Sequence, residues 1–339
     1  MKKNTLLVLL LGILSLSSCR NQDWEFPDYD IQTVYFAYQT PIRKIVLGND
    51  EVFDNTLDNQ HKCQIQATMG GVYDNDINRI VDITVTNSLC DNLKFENGNP
   101  VKPMPEDYYT LSSNQIVIPK GKITGGVDVQ LTDKFFADPL SIDTTYVIPL
   151  VMSNVQNADS ILSGTPLVES PDRLNAKDWN VLPKDYILYA VKYINPWDAI
   201  YLRRGTDVIT ENGQTPTEVV RHKQYVEEDE VFELNTVSLD KVSCNVTVNV
   251  AGQNTACNLI LNFNDNNECT ISTDTPGCTV TGSGKYVEKG EKNSFNNKDR
   301  DGLYLDYTID FGTTQCATKD TLVMRDRQVK PEFFTPVKE

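Results

Sequence analysis

The chain has 339 residues, and its 47 acidic and 31 basic side chains give a formal net charge of −16. This balance excludes nucleic acid and anionic lipid surfaces as natural partners, because both are bound through clustered Lys and Arg. The length favours two domains.

The N-terminus has the parts of a secretory signal peptide. Lys2 and Lys3 give a positive start, and the apolar run 6–16 is shorter than the roughly 20 residues that span a bilayer. The run ends in Leu16-Ser17-Ser18-Cys19, which is similar to a bacterial lipobox. We therefore predict a lipoprotein signal peptide over residues 1–18.

The lipobox implies that Cys19 becomes the lipidated first residue of the mature chain, with residues 19–27 as a tether. Asp23 and Glu25 lie just past this cysteine. Their position resembles the acidic export signal of Bacteroidetes surface lipoproteins. We expect a lipid-anchored protein of the outer membrane that faces the cell exterior, with the periplasmic side as the alternative.

Seven cysteines remain after Cys19, and an odd number cannot all pair within one chain. No C-x-x-C motif is present, which argues against a zinc or thioredoxin-type site. Cys63, Cys244 and Cys257 alternate with polar residues in register with apolar ones, which predicts small buried hydrophobes. We predict Cys269 and Cys278 as the first candidate for a disulfide.

Apolar and polar residues alternate along most of the chain. This period of two is typical of strands with one face in the core and one in water, and of antiparallel sheets. The clearest segments are 63–69, 81–85, 127–131, 242–250 and 303–311.

Residues 163–183 lack this periodicity and contain three prolines. We therefore predict an all-β protein with an immunoglobulin-like β-sandwich over residues 28–165 and a linker over 166–184. Residues 185–335 are predicted as an antiparallel β-barrel or a second β-sandwich, and the sequence leaves these two alternatives open.

No H-E-x-x-H or G-x-S-x-G motif is present, so we predict no catalytic residue and no cofactor. Asn297, Asp299 and Asp301 place oxygens at alternate positions before a glycine, as calcium loops do. However, the twelfth position is Thr308 instead of Glu. We interpret this segment as an ordinary hairpin loop and expect no metal.

Aromatic side chains are the remaining indication of a binding site, because flat rings suit the apolar faces of sugars. The candidate ligand-binding residues are Trp197, Tyr201, Tyr225 and Phe295. The alternative for each of them is packing in the core.

Several short motifs, in their order and spacing, resemble a two-domain family of Bacteroidetes surface lipoproteins whose domains are labelled as of unknown function. Those of the first domain are Tyr108-Tyr109-Thr110-Leu111-Ser112, Ile116-Val117-Ile118-Pro119-Lys120-Gly121 and Tyr146-Val147-Ile148-Pro149-Leu150. Those of the second are Lys192-Tyr193-Ile194-Asn195-Pro196-Trp197, Tyr201-Leu202-Arg203-Arg204-Gly205 and Leu322-Val323-Met324-Arg325-Asp326-Arg327.

The resemblance implies a product of a polysaccharide-utilisation locus that holds glycans beside an outer-membrane transporter complex. We therefore expect a non-catalytic lipoprotein that binds an oligosaccharide or glycoprotein for uptake. The alternatives are a structural or adhesive surface protein without a sugar site and, third, a glycoside hydrolase or its accessory.

Overall fold

The computed structural model describes residues 28–338. The predicted signal peptide 1–18, the predicted lipidation site Cys19 and the predicted tether 19–27 lie outside the described residues. Strands make up 54% and helices 8%, which confirms the all-β prediction. Between residues 28 and 338, no helix has the length and apolar character needed to cross a membrane.

The first unit is a twelve-stranded sheet that wraps around a core in a sandwich-like manner. Its strands and a small separate hairpin, β12–β13, are β1 Thr33–Tyr35, β2 Pro41–Val46, β3 Lys62–Gly70, β4 Arg79–Val85, β5 Leu93–Lys94, β6 Lys102–Pro103, β7 Tyr109–Leu111, β8 Gln115–Ile118, β9 Thr124–Leu131, β10 Tyr146–Gln156, β11 Ser160–Ile161, β12 Thr165–Pro166, β13 Trp179–Val181 and β14 Tyr186–Ile194. Short helices are α1 Thr56–Asn59 and α2 Asp133–Ala137, with 3-10 turns at Asn87–Cys90, Pro139–Ser141 and Ala176–Asp178.

Strand order in this sheet is β11-β1-β3-β9-β8-β4-β10-β14-β2, with β6 beside β10 and β7 beside β9, and the twelfth strand, Glu332–Phe333, pairs with β2. Alternate residues point into the core, as the period of two predicted, and Ile65, Ile116 and Ile148 are fully buried. Only the β14–β2, β1–β11 and β6–β10 pairs are parallel.

Strand β14 corrects the predicted domain boundary at residue 185. It pairs antiparallel with β10 and parallel with β2, so it belongs to the first sheet. The second unit therefore begins after Ile194. Residues 166–184, which were predicted as a linker, contain strand β13 and a 3-10 turn.

The second unit is a closed eight-stranded antiparallel barrel, which selects the barrel from the two predicted alternatives. Strands β15 and β23 pair at twelve positions and close the barrel. Strand β16 pairs with β15 but is not one of the eight barrel strands. The strands are β15 Ala199–Glu211, β16 Thr217–Arg221, β17 Glu230–Ser238, β18 Lys241–Val250, β19 Gln253–Phe263, β20 Glu268–Thr273, β21 Thr279–Glu291, β22 Arg300–Asp310 and β23 Thr314–Asp326, with 3-10 turns at Val226–Glu228 and Phe295–Asn297.

The barrel interior is apolar except for one charged layer. The Asp320 carboxylate accepts hydrogen bonds from Arg203 Nε at 3.0 Å, from Tyr307 Oη at 3.0 Å and from Arg221 Nη2 at 2.6 Å. Arg221 also pairs with Asp207 at 2.7 Å. A buried carboxylate with three donors satisfies the rule that interior charges must be paired.

The C-terminus returns to the first unit. Strand β24 Glu332–Phe333 pairs with β2, and strand β25 Val337–Lys338 pairs with β5. Phe334 between them is buried against Phe95 at 4.9 Å between ring centroids. The barrel thus ends with β23, before the predicted boundary at residue 335.

Candidate ligand-binding cleft

A cleft of about 780 Å³ lies where the first unit meets one end of the barrel. Small-molecule sites have volumes of about 300–1,000 Å³ and often occur at such junctions. The lining residues come from the loop after β2, the β21–β22 connection and the end of β23: Asn49, Asp50, Glu51, Val52, Phe53, Asn55, Glu288, Lys289, Arg300, Asp301, Met324, Arg325, Asp326, Arg327, Gln328 and Val329.

The base of the loop after β2 is held by side chains from α1 and the residue before it. Asn55 Nδ2 donates to the carbonyls of Val46 at 2.8 Å and Gly48 at 2.6 Å. Asp58 Oδ2 accepts from the Val46 amide at 2.9 Å, and Asn59 Oδ1 accepts from the Gly48 amide at 2.8 Å. These four hydrogen bonds connect the base of the loop to α1 and to Asn55, and they restrict its conformation.

The tip of this loop is also ordered by a carboxylate. Asp50 Oδ1 accepts from the amides of Val52 and Phe53, both at 2.8 Å. The arrangement leaves Val52 96% exposed beside the cleft, while the guanidinium of Arg43 lies 5.5 Å from the centre of the Phe53 ring. The loop therefore exposes one apolar side chain, Val52, next to polar groups that are hydrogen-bonded within the loop.

The barrel wall of the cleft is built around Arg300. Its guanidinium lies 5.1 Å from the centre of the Phe295 ring, its Nε donates to the Phe295 carbonyl at 3.1 Å, and its Nη1 pairs with Glu51 at 3.1 Å. This ion pair joins the barrel to the first unit across the cleft.

The neighbouring residue Asp301 is engaged in hydrogen bonds within the barrel. Its carboxylate accepts from Tyr286 Oη at 2.5 Å and from the Lys289 amide at 2.7 Å. Burial raises the pKa of the Tyr286 phenol, and the Asp301 carboxylate beside it raises the pKa further. The phenol therefore stays protonated and acts as the donor.

Arg327 closes the inner end of the cleft. It is only 5% exposed, and it donates to the backbone carbonyls of Leu47, Asn49, Asn195 and Asp198. Burial lowers the pKa of its guanidinium. One side chain thus ties together the loop after β2, the crossing between the units and the end of β23.

Two of the four aromatic residues predicted for ligand binding lie in the barrel core. Trp197 is 7% exposed and stacks on Phe263, with ring centroids 4.0 Å apart and an interplanar angle of 5°. Tyr201 is fully buried, and its hydroxyl donates to the Trp197 carbonyl at 2.9 Å. Neither ring has a face free for a sugar, because neighbouring core side chains cover both.

The other two aromatic residues lie on neighbouring loops of the barrel, where Phe295 contacts the cleft residue Arg300. Tyr225 is 58% exposed, and Phe295 is half-buried beneath Arg300. The amide of Asn296 donates to Glu227 Oε1 at 3.4 Å, which joins the two 3-10 turns. The structure therefore brings the Tyr225 and Phe295 loops together.

The candidate calcium residues do not converge on one point. Asp299 accepts from the Asn293 amide and from Lys292 Nζ, both at 3.0 Å, while Asp301 is bonded to Tyr286 and Lys289. Asn297 lies in the 3-10 turn with a left-handed φ of 53°. Within residues 28–338, no group of three His, Cys, Asp or Glu side chains could hold a metal ion.

The cysteines predicted as a disulfide are not neighbours. Cys269 pairs with Gly284 on β21, six residues along from Cys278, a separation of about 20 Å at 3.4 Å per residue. The strand register therefore separates this pair. Cys63, Cys244 and Cys257 are buried, as predicted.

The sequence interpretation missed the cleft residues of the loop after β2 and the role of Arg327. A turn signal was present, since Gly48-Asn49-Asp50 directly follows the apolar run 45–47. Nothing local to that segment indicated that the barrel would lie against it.

Two family models together match most of the chain. A model described as a domain of unknown function, DUF5627, matches residues 196–328, which are the barrel. Another, described as an N-terminal domain, matches residues 29–159 in the first sheet. No curated protein matches the sequence.

Among solved structures, a Bacteroides ovatus protein of unknown function is 49% identical, with a TM-score of 0.87. The match covers 92% of this chain and 100% of that one. A second B. ovatus protein of unknown function is 13% identical, with a TM-score of 0.39 over 90% of this chain and 99% of that one. An auxiliary nutrient binding protein of Bacteroides thetaiotaomicron is 14% identical, with a TM-score of 0.34 over 85% and 92% of the two chains.

Proposed function

We propose that this chain, which belongs to the same two-domain family as the 49% identical Bacteroides ovatus protein, is a non-catalytic protein that binds a glycan or glycoprotein. The observation that carries the proposal is the cleft of about 780 Å³ between the two units. Hydrogen bonds and an ion pair within the chain hold its walls, and walls ordered by their own contacts lower the entropic cost of binding.

The polar groups of the cleft suit sugar hydroxyls. Each hydroxyl is both a donor and an acceptor, so neighbouring hydroxyls can bind a carboxylate and a guanidinium side by side. Glu51 and Arg300 present these two groups 3.1 Å apart. Val52 beside them offers an apolar contact for the C–H face of a sugar ring.

The charge of the cleft favours an uncharged oligosaccharide. Five acidic and four basic residues line it, although the whole chain has a net charge of −16. Local neutrality removes any strong attraction for sulfated or uronic sugars, while the negative surface around the cleft repels them.

Three of the five cleft carboxylates are engaged with partners in the chain, which favours binding without catalysis at these positions. Hydrolysis of a glycoside requires two opposed carboxyl groups that are free to exchange protons with the substrate. Glu51 is paired with Arg300, Asp50 accepts two backbone amides, and Asp301 accepts from Tyr286 and Lys289. These acids hold the walls of the cleft in place.

The predicted anchor would place this site on the outer membrane, facing the cell exterior, where a transporter complex could accept the captured ligand. Cys19 is the residue on which this location depends. Replacing Cys19 by Ala should move the protein from the detergent phase to the aqueous phase in a partitioning experiment, with an unchanged circular dichroism spectrum. Continued entry into the detergent phase would contradict the lipid anchor.

The binding proposal is tested with protein from residue 20 onward on an array of uncharged and acidic glycans, followed by calorimetry. We expect dissociation constants in the micromolar to millimolar range, about 4–8 kcal/mol. Arg300→Met and Glu51→Ala should each weaken binding by roughly tenfold, or about 1.4 kcal/mol.

A matched control is Glu268→Ala, which removes a similar ion pair, to Lys285 at 3.0 Å, on the side of the barrel. It should bind like the parent protein. Equal weakening by all three variants, or no binding of any glycan, would reject the cleft as a sugar site.

Failure to bind any glycan would favour the adhesive alternative. One observation supports that alternative, since Tyr38 and Phe333 form an aromatic pair 4.9 Å apart and are 61% and 51% exposed. Such rings are enriched at protein interfaces.

A further inference from the structure

A pair of cysteines meets at the end of the barrel opposite the cleft. The sulfurs of Cys257 and Cys278 are 3.3 Å apart. Cys257 lies near the start of β19, and Cys278 directly precedes β21. Strand β20 separates them in sequence, so only the fold of the barrel brings them together.

The local structure explains this contact. Thr273 is opposite Leu259 in the β19–β20 ladder, and the segment after it turns back through Gly277, which has a φ of +87°. This turn carries Cys278 over the inward side of Cys257. The Cys257 sulfur also lies 3.4 Å from Thr273 Oγ1, and the Cys278 sulfur lies 3.6 Å from the Thr275 carbonyl.

We propose that Cys257 and Cys278 form a reversible disulfide that staples β19 to β21 across β20. A disulfide has an S–S distance of about 2.05 Å, so the sulfurs must approach by roughly 1.3 Å, a shift that side-chain rotation can supply. The bond would form within the barrel wall and would leave the cleft at the other end unchanged.

The difference in exposure determines which of the two thiols reacts first with the oxidant. Among the seven described cysteines, Cys278 is half-buried and the other six are buried. A disulfide oxidant such as glutathione disulfide can therefore reach Cys278 first. The Cys278 thiolate attacks one sulfur of the oxidant, the oxidant's S–S bond breaks, and one glutathione leaves as a thiolate.

The second step uses the buried partner. Cys257 loses its proton and attacks the Cys278 sulfur, which releases the second glutathione as a thiolate. The two protein thiols have then lost two electrons and two protons, and the oxidant has become two thiols. Burial raises the pKa of Cys257 to about 11, so this step is expected to be the slower one at neutral pH.

The experiment treats fully reduced protein from residue 20 onward with glutathione disulfide and follows it by intact mass and peptide mapping. Before oxidation, a maleimide should label one thiol in the native protein, and this label should map to Cys278. After oxidation, native labelling should be lost, the mass should fall by two hydrogens, and a Cys257–Cys278 peptide should appear.

Three variants separate this pair from other outcomes. Cys278→Ser should abolish both the label and the disulfide, whereas Cys257→Ala should trap glutathione on Cys278 because no resolving thiol is left. Cys269→Ala, which removes a buried cysteine outside the pair, should still form the disulfide. A stable glutathione adduct on the parent protein, a Cys269–Cys278 peptide or an unchanged mass would overturn the proposal.

Discussion

Replacing Arg327 by Met should destabilise the protein more than any surface substitution. The side chain is 5% exposed and supplies donors to four backbone carbonyls from both sides of the junction. Met is shorter and has no donor, so all four hydrogen bonds would be lost; those to Leu47 and Asn195 are buried, and those to Asn49 and Asp198 are partly buried. A buried polar group that is left unpaired costs about 1–3 kcal/mol.

At about 1 kcal/mol for each lost hydrogen bond, the four bonds together give an expected loss of about 4 kcal/mol. Met also removes the desolvation penalty of a buried charge, which offsets part of this loss and brings the net decrease in the free energy of unfolding to about 3 kcal/mol. At about 2–4 °C per kcal/mol, Tm should fall by roughly 6–12 °C. Differential scanning calorimetry measures this change.

Arg325→Met is the matched control, because Arg325 is two residues away and its exposed side chain makes one ion pair with Asp326, at 3.6 Å. Its loss should cost less than about 0.5 kcal/mol. Arg327→Lys should lie between the two, since an ammonium has three donors and cannot span four carbonyls. The reasoning fails if Arg327→Met and Arg325→Met have the same Tm.

Two further predictions concern the barrel. Burial raises the pKa of Asp207, but hydrogen bonds from Arg221 and Thr318 lower it on balance, below the ordinary value of 3.8. The ionised Asp207 therefore stabilises the fold above that value, and this stabilisation is lost as the pH falls through the lower pKa of the folded state. Asp207→Asn should consequently show a smaller fall of Tm between about pH 5 and pH 3 than the parent protein. Trp197→Ala should cost about 3–5 kcal/mol in a denaturant titration, because it removes a buried ring, while the exposed Tyr225→Ala should stay within about 0.5 kcal/mol. A stable Trp197→Ala barrel would contradict the core assignment.

The sequence predicted the strands well because alternation is a local property. The segments 63–69 and 242–250 lie in β3 and β18, with the inward faces as expected. Strand β14 was assigned to the wrong unit because partner choice is a long-range property. Eight of its nine residues are buried, which is typical of a central strand covered on both faces but does not identify its neighbours.

The binding residues were harder to predict, because the presence of an aromatic residue in the sequence does not show whether its side chain lies in the core or on the surface. The alternation itself contained more information, because Trp197 lies two residues before Ala199 and four before Tyr201, which places all three on one face. The cleft could not be predicted from such patterns. It depends on the packing of the loop after β2 against a barrel that follows about 150 residues later, a contact that no local pattern encodes.

The return of the C-terminus to β2 and β5 makes the barrel an insertion within the chain of the first unit. The chain leaves the sheet at Asn195 and comes back at Arg327, and these two residues share a hydrogen bond. Entry and exit are therefore adjacent, the arrangement in which one domain can be inserted into another at little cost. Strands before and after the barrel belong to the same sheet, so the chain path of the first unit would remain continuous if a short turn replaced the barrel. Two side-by-side connections also restrict rotation of the barrel, which fixes the direction in which the cleft opens relative to the first unit.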